Sequence, residues 1–241
     1  MIIEIDDADD PRLDDYALLK DQAARREREG EEYFIAEGYV SIDRVIDSGH
    51  RLRSVVVTPS RVDRLLTGRP EIAEHDVPVY VLDRAVLADT VGFDLHRGVV
   101  ASADRRPVAT VHDIARSSAQ RVAVLVGLND AENVGVIARA ARALGLDALL
   151  LDPTCTDAYS RRTVRVSMGE VLHLPVGRAT TWPDDLDVLH AAGFESWALT
   201  PAPDADDLWS RTDPPIPDRL AVVLGAEGPG LDRRSMAACT R

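Results

Sequence analysis

Two short stretches hold most of the residues able to do chemistry. The first, NDAENVGVIARAARALG (129–145), follows the apolar run RVAVLVGL and brings Asn129, Asn133, Gly135 and Arg139 together at the start of a helical pattern. The second, LGAEGPGL (224–231), leaves another apolar run and places three glycines around one acid, Glu227. A guanidinium grips a phosphate through two parallel N–H bonds, so Arg139 could hold or polarise an oxyanion. Glycines let main-chain groups come close to a bound molecule. Ordinary structure accounts for part of this. Asn129 or Asp130 could cap a helix, worth roughly 1 kcal/mol. Val134, Ile137, Ala138, Ala141 and Leu144 share one helical face, and Arg139, opposite them, taken alone reads as a solvated arginine. Gly135 is less easily dismissed. A glycine inside a first turn costs about 1 kcal/mol against alanine, so another backbone or a ligand should come close there.

Strand–helix alternation must position these residues. The second half of the chain reads as about five strands, at 121–128, 148–151, 173–176, 196–200 and 219–225, with helices at 133–144, 160–168, 183–192 and from about 232. Continuous apolar runs suit strands covered on both faces, and the alternation predicts a parallel sheet. Ligands bind such sheets beyond the carboxyl ends of the strands, which points to the loops after Leu128 and Leu224. The first half gives strands at 34–38, 51–58, 77–83 and 97–103, with helices at 39–49, 59–68 and 84–92, preceded by a charged helix at 11–29. Residues 104–120 lose apolar periodicity and read as a linker with one or two helical turns. PAPDADD (201–207) and TDPPIPD (212–218) read as solvated acidic loops.

The G-x-x-G-x-G spacing in 225–230 echoes a dinucleotide fingerprint, but that motif belongs to the first strand–helix turn with an acid about 20 residues on. Its place on the last strand excludes that reading. A third marker, VRVSMGEVLHLPV (164–176), sets Arg165, Ser167 and Gly169 before a strand; alone it reads as a helix end closed by Gly169.

In this order the three markers resemble the SpoU/TrmH-type RNA 2′-O-ribose methyltransferases of the SPOUT superfamily. Asn129, Asn133, Val134, Gly135, Ile137 and Arg139 match that family's N-x-x-x-N-V-G-x-I-x-R motif, although its usual N-P-G-N opening is changed here to N-D-A-E-N. The intermediate V-R-x-S-x-G stretch and the L-G-x-E-G-x-G-L motif follow. The resemblance implies an α/β fold. A mostly parallel-sheet, trefoil-knot type methyltransferase domain (121–241) would follow a linker (105–120) and a small α/β RNA substrate-binding domain (1–104) resembling kink-turn-binding ribosomal proteins.

The family's third motif, an I-P-M segment followed by S-L-N-V, would come after the helix near 232. Without it, the chain is expected to be truncated, its knot incomplete and its donor binding weak. The resemblance also implies S-adenosyl-L-methionine as methyl donor, with no metal. Leu224, Gly225, Gly228, Gly230 and Leu231 would cradle it. Arg139 would be catalytic, held by Asn133, and Glu227 would order its loop or pair with that arginine. Arg139 fits gripping phosphate and stabilising a developing alkoxide better than acting as a base, because guanidinium rarely gives up its proton. The partners implied are structured RNA, with ribosomal RNA favoured over transfer RNA by analogy, and a second copy in a homodimer. Arg51, Arg53 and Arg61 are candidates for docking the RNA. A non-catalytic RNA-binding relative and an inactive truncated methyltransferase are the competing expectations.

The whole-chain properties fit these expectations. A net charge of −13 argues against nucleic acid on its own, yet Lys20 is the only lysine among 28 basic residues, and a local arginine patch can outweigh the sum. Two cysteines, Cys155 and Cys239, form no disulfide framework or metal spacing, as expected of a cytoplasmic protein. No apolar run approaches membrane-spanning length, so no membrane partner is expected.

Overall fold

The computed structural model describes residues 1–203, 205–206 and 216–241. Of the acidic loops expected at 201–207 and 212–218, residues 204, 207 and 212–215 lie outside them. The chain divides into two compact units. One comprises Met1–Pro107 with Tyr159–His173, the other Val108–Ala158 with Leu174–Arg241.

The first unit is built on a five-stranded mixed sheet. Its elements are β1 (Ile2–Glu4), α1 (Gln22–Glu29), β2 (Tyr33–Glu37), α2 (Tyr39–Asp47), β3 (Leu52–Val57), α3 (Val62–Gly68), α4 (Glu71–Glu74), β4 (Val79–Val81), α5 (Arg84–Val91) and β5 (Val99–Asp104). The strand order is β1-β4-β3-β5-β2, with β5 antiparallel to both of its neighbours. The helix expected over 11–29 divides in two. Pro11–Tyr16 is a 3₁₀ helix, and Leu18 takes a positive φ of 56° before α1 begins. Leu13 and Tyr16, three residues apart within it, turn into the core with Leu19, Ile5, Ile35 and Val56. This spacing suits a 3₁₀ helix, whose side chains eclipse every third residue. Strand β1 went unread because three residues at an acidic start carry too little alternation.

The second unit is an all-parallel sheet. Its elements are β6 (Ala109–Thr110), α6 (Val111–Arg116), β7 (Arg121–Val126), α7 (Ala131–Ala143) and β8 (Ala148–Leu151), then, after α8 (Arg161–Val166) of the first unit, β9 (Val176–Arg178), α9 (Leu186–Ala191), β10 (Glu195–Leu199), β11 (Leu220–Gly225) and α10 (Arg233–Ala238). The order β10-β11-β7-β8-β9-β6 has six strands rather than five. The sixth is β6, inside the expected linker, paired parallel with β9. A capping box between Thr110 and Asp113 starts α6, which buries Val111, Ile114 and Ala115. Two strand residues and six helical ones are too few for periodicity to register, so the linker reading is corrected on this point.

Two further expectations shift. The strand expected at 173–176 lies at β9, after a 3₁₀ turn over Glu170–His173. The helix expected at 160–168 ends at α8, and its residues group with the first unit, where α8 packs on β2.

Candidate active site

Strands β7 and β11 are parallel neighbours, with Leu125 opposite Leu224 and Val126 opposite Gly225. The chain leaves β7 for β8 on one side, while β11 lies on the other, so the loops after β7 and β11 flank the point where the strand order reverses. That is where an open parallel sheet presents a crevice. A hollow of about 220 Å³ lies there, lined by Leu128, Asn129, Asp130, Asn133, Ala226 and Glu227.

Each wall has a local cause. Gly127 turns the chain out of β7 with φ +73°, and a Cβ on it would sit 3.7 Å from that of Ala226, so the two strand exits lie side by side. Asp130 then caps α7, accepting the Glu132 amide at 2.8 Å. It, rather than Asn129, is the cap, which leaves the Asn129 side chain to the hollow. Leu128 is fastened from behind, its carbonyl accepting the Thr156 amide at 2.9 Å. The Thr156 loop is itself braced. Asp152 accepts from the Cys155 amide at 2.8 Å, and Arg178 donates to the carbonyls of Asp152 and Cys155. The Cys155 thiol donates to the Leu125 carbonyl, and burial, then Asp152, push its pKa up to about 12. It is a packing residue, not a nucleophile.

The opposite wall is the loop after β11. Ala226 and Gly230 form an isolated antiparallel bridge, with the Gly230 amide donating to the Ala226 carbonyl at 3.0 Å. Glu227 stands at the tip of this turn. A Cβ on Gly225 would come within 2.3 Å of the Gly230 carbonyl carbon and 2.4 Å of the Leu231 nitrogen. Gly225 is therefore glycine because the loop's own backbone folds back against it. Gly228 and Gly230 have positive φ, 89° and 67°, and open space where a Cβ would be. Leu231 is buried in the core of this unit, which anchors the turn. Of the five residues expected to cradle the donor, Leu224, Gly225, Gly228, Gly230 and Leu231, none lines the hollow, and three of them shape the loop that does.

The structure brings Asn133 and Glu227 together, the amide Nδ2 donating to Oε2 at 3.3 Å. Glu227 thus orders its loop through Asn133 and forms no ion pair with Arg139. Asn133 does not hold Arg139 either. Six residues of α-helix separate them by about 9 Å along the axis and about 120° around it. Arg139 is exposed and lies outside the hollow's lining. Its neighbour on that face of α7, Val136, is 57% exposed, and Leu144, 79% exposed, follows the last residue of α7. Leu144 therefore departs from the expected buried stripe, of which Val134, Ala138 and Ala141 are buried.

The third marker is structural. The Gly169 amide closes α8 on the Val164 carbonyl at 2.8 Å, and a Cβ on Gly169 would lie 2.5 Å from that of Arg44. Ser167 is buried and donates to the same Val164 carbonyl. Sequence reasoning missed Leu128, Asp130 and Ala226 as lining residues. Their signal was position alone, directly after a strand.

A parallel α/β sheet with a polar hollow at its strand-order reversal defines a ligand-binding α/β domain. Residues 120–241 match the SpoU rRNA Methylase family, and the chain belongs to that family. It is 38% identical over 229 residues to an uncharacterized tRNA/rRNA methyltransferase of Mycobacterium tuberculosis, covering 95% of this chain and 78% of that protein. It is also 23% identical to the 23S rRNA (guanosine(2553)-2′-O)-methyltransferase RlmP of Bacillus subtilis, over 95% of this chain and 84% of that one. Among solved structures, an AdoMet-bound rRNA methyltransferase from Sinorhizobium meliloti superposes with a TM-score of 0.77 at 26% identity, covering 97% of this chain and 84% of that one.

Proposed function

We propose that the protein transfers a methyl group from S-adenosylmethionine to a ribose 2′-hydroxyl of structured RNA, ribosomal RNA before transfer RNA, and that it works in the cytoplasm as a homodimer. The observation that carries this reading is the Asn133–Glu227 bond, which ties the family's two motif loops into one polar hollow. The lining fits part of the donor. Carboxylates and amides from Asn129, Asp130, Asn133 and Glu227 offer acceptors for ribose hydroxyls or an ammonium. About 220 Å³ is less than the roughly 300 Å³ at which drug-sized sites begin, so these residues would hold one portion of it. Bound donor supplies an electrophilic methyl on a sulfonium sulfur.

The chain's own residues then have three tasks. The hollow fixes the reacting atoms in line, which is worth several kcal/mol of barrier. Arg139 grips the phosphate beside the target ribose and stabilises the oxygen as its proton passes to that phosphate or to water and the methyl leaves sulfur for oxygen. Because Arg139 lies beside exposed Val136, pairing through this face of α7 would cover apolar surface and carry the guanidinium toward a second copy.

The test uses the purified protein, donor labelled on the methyl group, and transcribed rRNA and tRNA. Digestion to nucleosides should release a labelled 2′-O-methylnucleoside. Label on a base, or none on any RNA despite measurable donor binding, rejects the reading.

A further inference from the structure

Strand β1 lies at the edge of the first unit's sheet, and β4 is its one strand partner among the described residues. The Val79 amide donates to the Met1 carbonyl at 2.9 Å and the Ile5 amide to the Val81 carbonyl at 3.0 Å. Met1, Ile3 and Ile5 therefore turn their backbone groups toward β4. A parallel ladder alternates along the strand, which sends the amides and carbonyls of Ile2 and Glu4 outward. They have no partner among the described residues. Side chains alternate as well. Ile5 is buried and Ile3 packs against the same core, while Ile2, on the other face, is 54% exposed.

The fringe of this edge is acidic. Of residues 1–15, seven are Asp or Glu and one, Arg12, is basic. Arg12 is spent on Asp10, and Asp15 is held by Arg53. Glu4, Asp6, Asp7 and Asp9 are exposed and have no basic partner among the described residues. Glu4 lies opposite Val81, so the register brings Asp83, likewise exposed and without a basic partner among the described residues, to the end of β1. The next residue, Arg84, is tied to Asp94.

We infer that the outer edge of β1 takes up an extended, lysine- and arginine-rich segment of a partner protein as an added strand. This goes beyond the methylation reading and does not depend on it. An unpaired edge is a template for another strand, and proteins blunt such edges with lysine, proline or a bulge. Residues Met1–Ile5 contain neither residue, and their register with β4 is unbroken. The acids do part of the protecting. Two copies brought edge to edge would set like charges against each other, and a phosphate backbone is repelled in the same way. The same charges select the remaining occupant. An extended basic segment satisfies the outward amides and carbonyls with its own backbone, sets cations beside Glu4, Asp6 and Asp83, and lays an apolar side chain on Ile2.

The probe is a fluorescein-labelled octapeptide of alternating Lys and Val, titrated with the full chain by fluorescence anisotropy at low salt. A Glu-Val octapeptide should not bind, and a Lys-Val copy N-methylated throughout, which cannot donate to a ladder, should bind about tenfold or more weakly. Glu4→Lys with Asp6→Lys should cost about tenfold or more in affinity for the Lys-Val peptide. Thermal melting and methyl transfer should stay as in wild type. Hydrogen exchange gives a readout that attraction between charges alone would not move: bound peptide should slow the Glu4 amide about tenfold. Peptide bound while that amide exchanges at its free rate overturns the added strand, and so does equal affinity for the N-methylated copy. Failure of the Lys-Val peptide to bind overturns it as well. Protection of the Glu4 amide that grows with protein concentration alone assigns the edge to a second copy, and protection by an oligonucleotide assigns it to RNA; either result overturns the proposal.

Discussion

Asn133 and Glu227 meet across two strands at a solvent-exposed distance of 3.3 Å, so their bond contributes little to folding. Asn133→Ala should change stability by no more than about 0.5 kcal/mol. It frees the tip of the Glu227 turn, and a displaced positioning group costs on the order of 10- to 100-fold in rate. Thermal melting beside initial methyl-transfer rates separates the two effects; a large loss of stability would make Asn133 a folding residue instead. Gly225 predicts the reverse. Gly225→Ala drives a methyl group into the Gly230–Leu231 backbone and should destabilise by about 2 kcal/mol, read as a lower urea midpoint. An unchanged midpoint would mean that the turn opens at no cost, and Glu227 would then lack a fixed position.

At the scale of elements, the strands and helices that carry the motifs were legible from sequence because their apolar runs are long. RVAVLV is buried but for its first residue, LAVVLG is buried or half-buried throughout, and the α7 pattern runs for three turns. What escaped was short or irregular. Strand β6 has two residues, the 3₁₀ turn over Pro11–Tyr16 mimics a helix in composition, and the brace from Arg178 to the Thr156 loop depends on contacts that no spacing encodes. The glycine-rich loop was legible as a site, but not in its cause, since Gly225 makes room for protein backbone.

One element-level packing has a pH signature. His50, at the entry to β3, is buried against Phe34 of β2 and Tyr159, with Ser48 on Nδ1. Burial, then the charges of Arg106 and His173, push its pKa down from 6.5 to about 4. Between those values the unfolded chain holds a proton that the folded chain does not, so stability falls as pH drops through that window and is kept above it. Urea midpoints should therefore decline between pH 6.5 and 4 more steeply in wild type than in His50→Gln. Parallel declines would place the acid sensitivity elsewhere.

For the molecule as a whole, the decisive question is where Arg139 acts. Within one chain it stands on the far side of α7 from Asn133, on a face that leaves Val136 in solvent. An exposed Val136 beside the arginine proposed to grip RNA is explained if that face is a two-fold contact, since an isologous interface gives each copy the other's guanidinium. Val136→Asp should then yield a monomer by sedimentation, with its fold intact and methyl transfer lost. A sharper experiment uses two dead variants. Arg139→Ala lacks the guanidinium and Glu227→Gln lacks the charge on the opposing loop, so each homodimer should be inactive. In mixed dimers one hollow combines intact Glu227 from one copy with intact Arg139 from the other. Random mixing makes half of the dimers mixed, each with one complete site, so activity should return to about a quarter of wild type. Were both residues to serve the same chain's hollow, every mixed dimer would hold two defective sites, and the mixture would stay as inactive as its components.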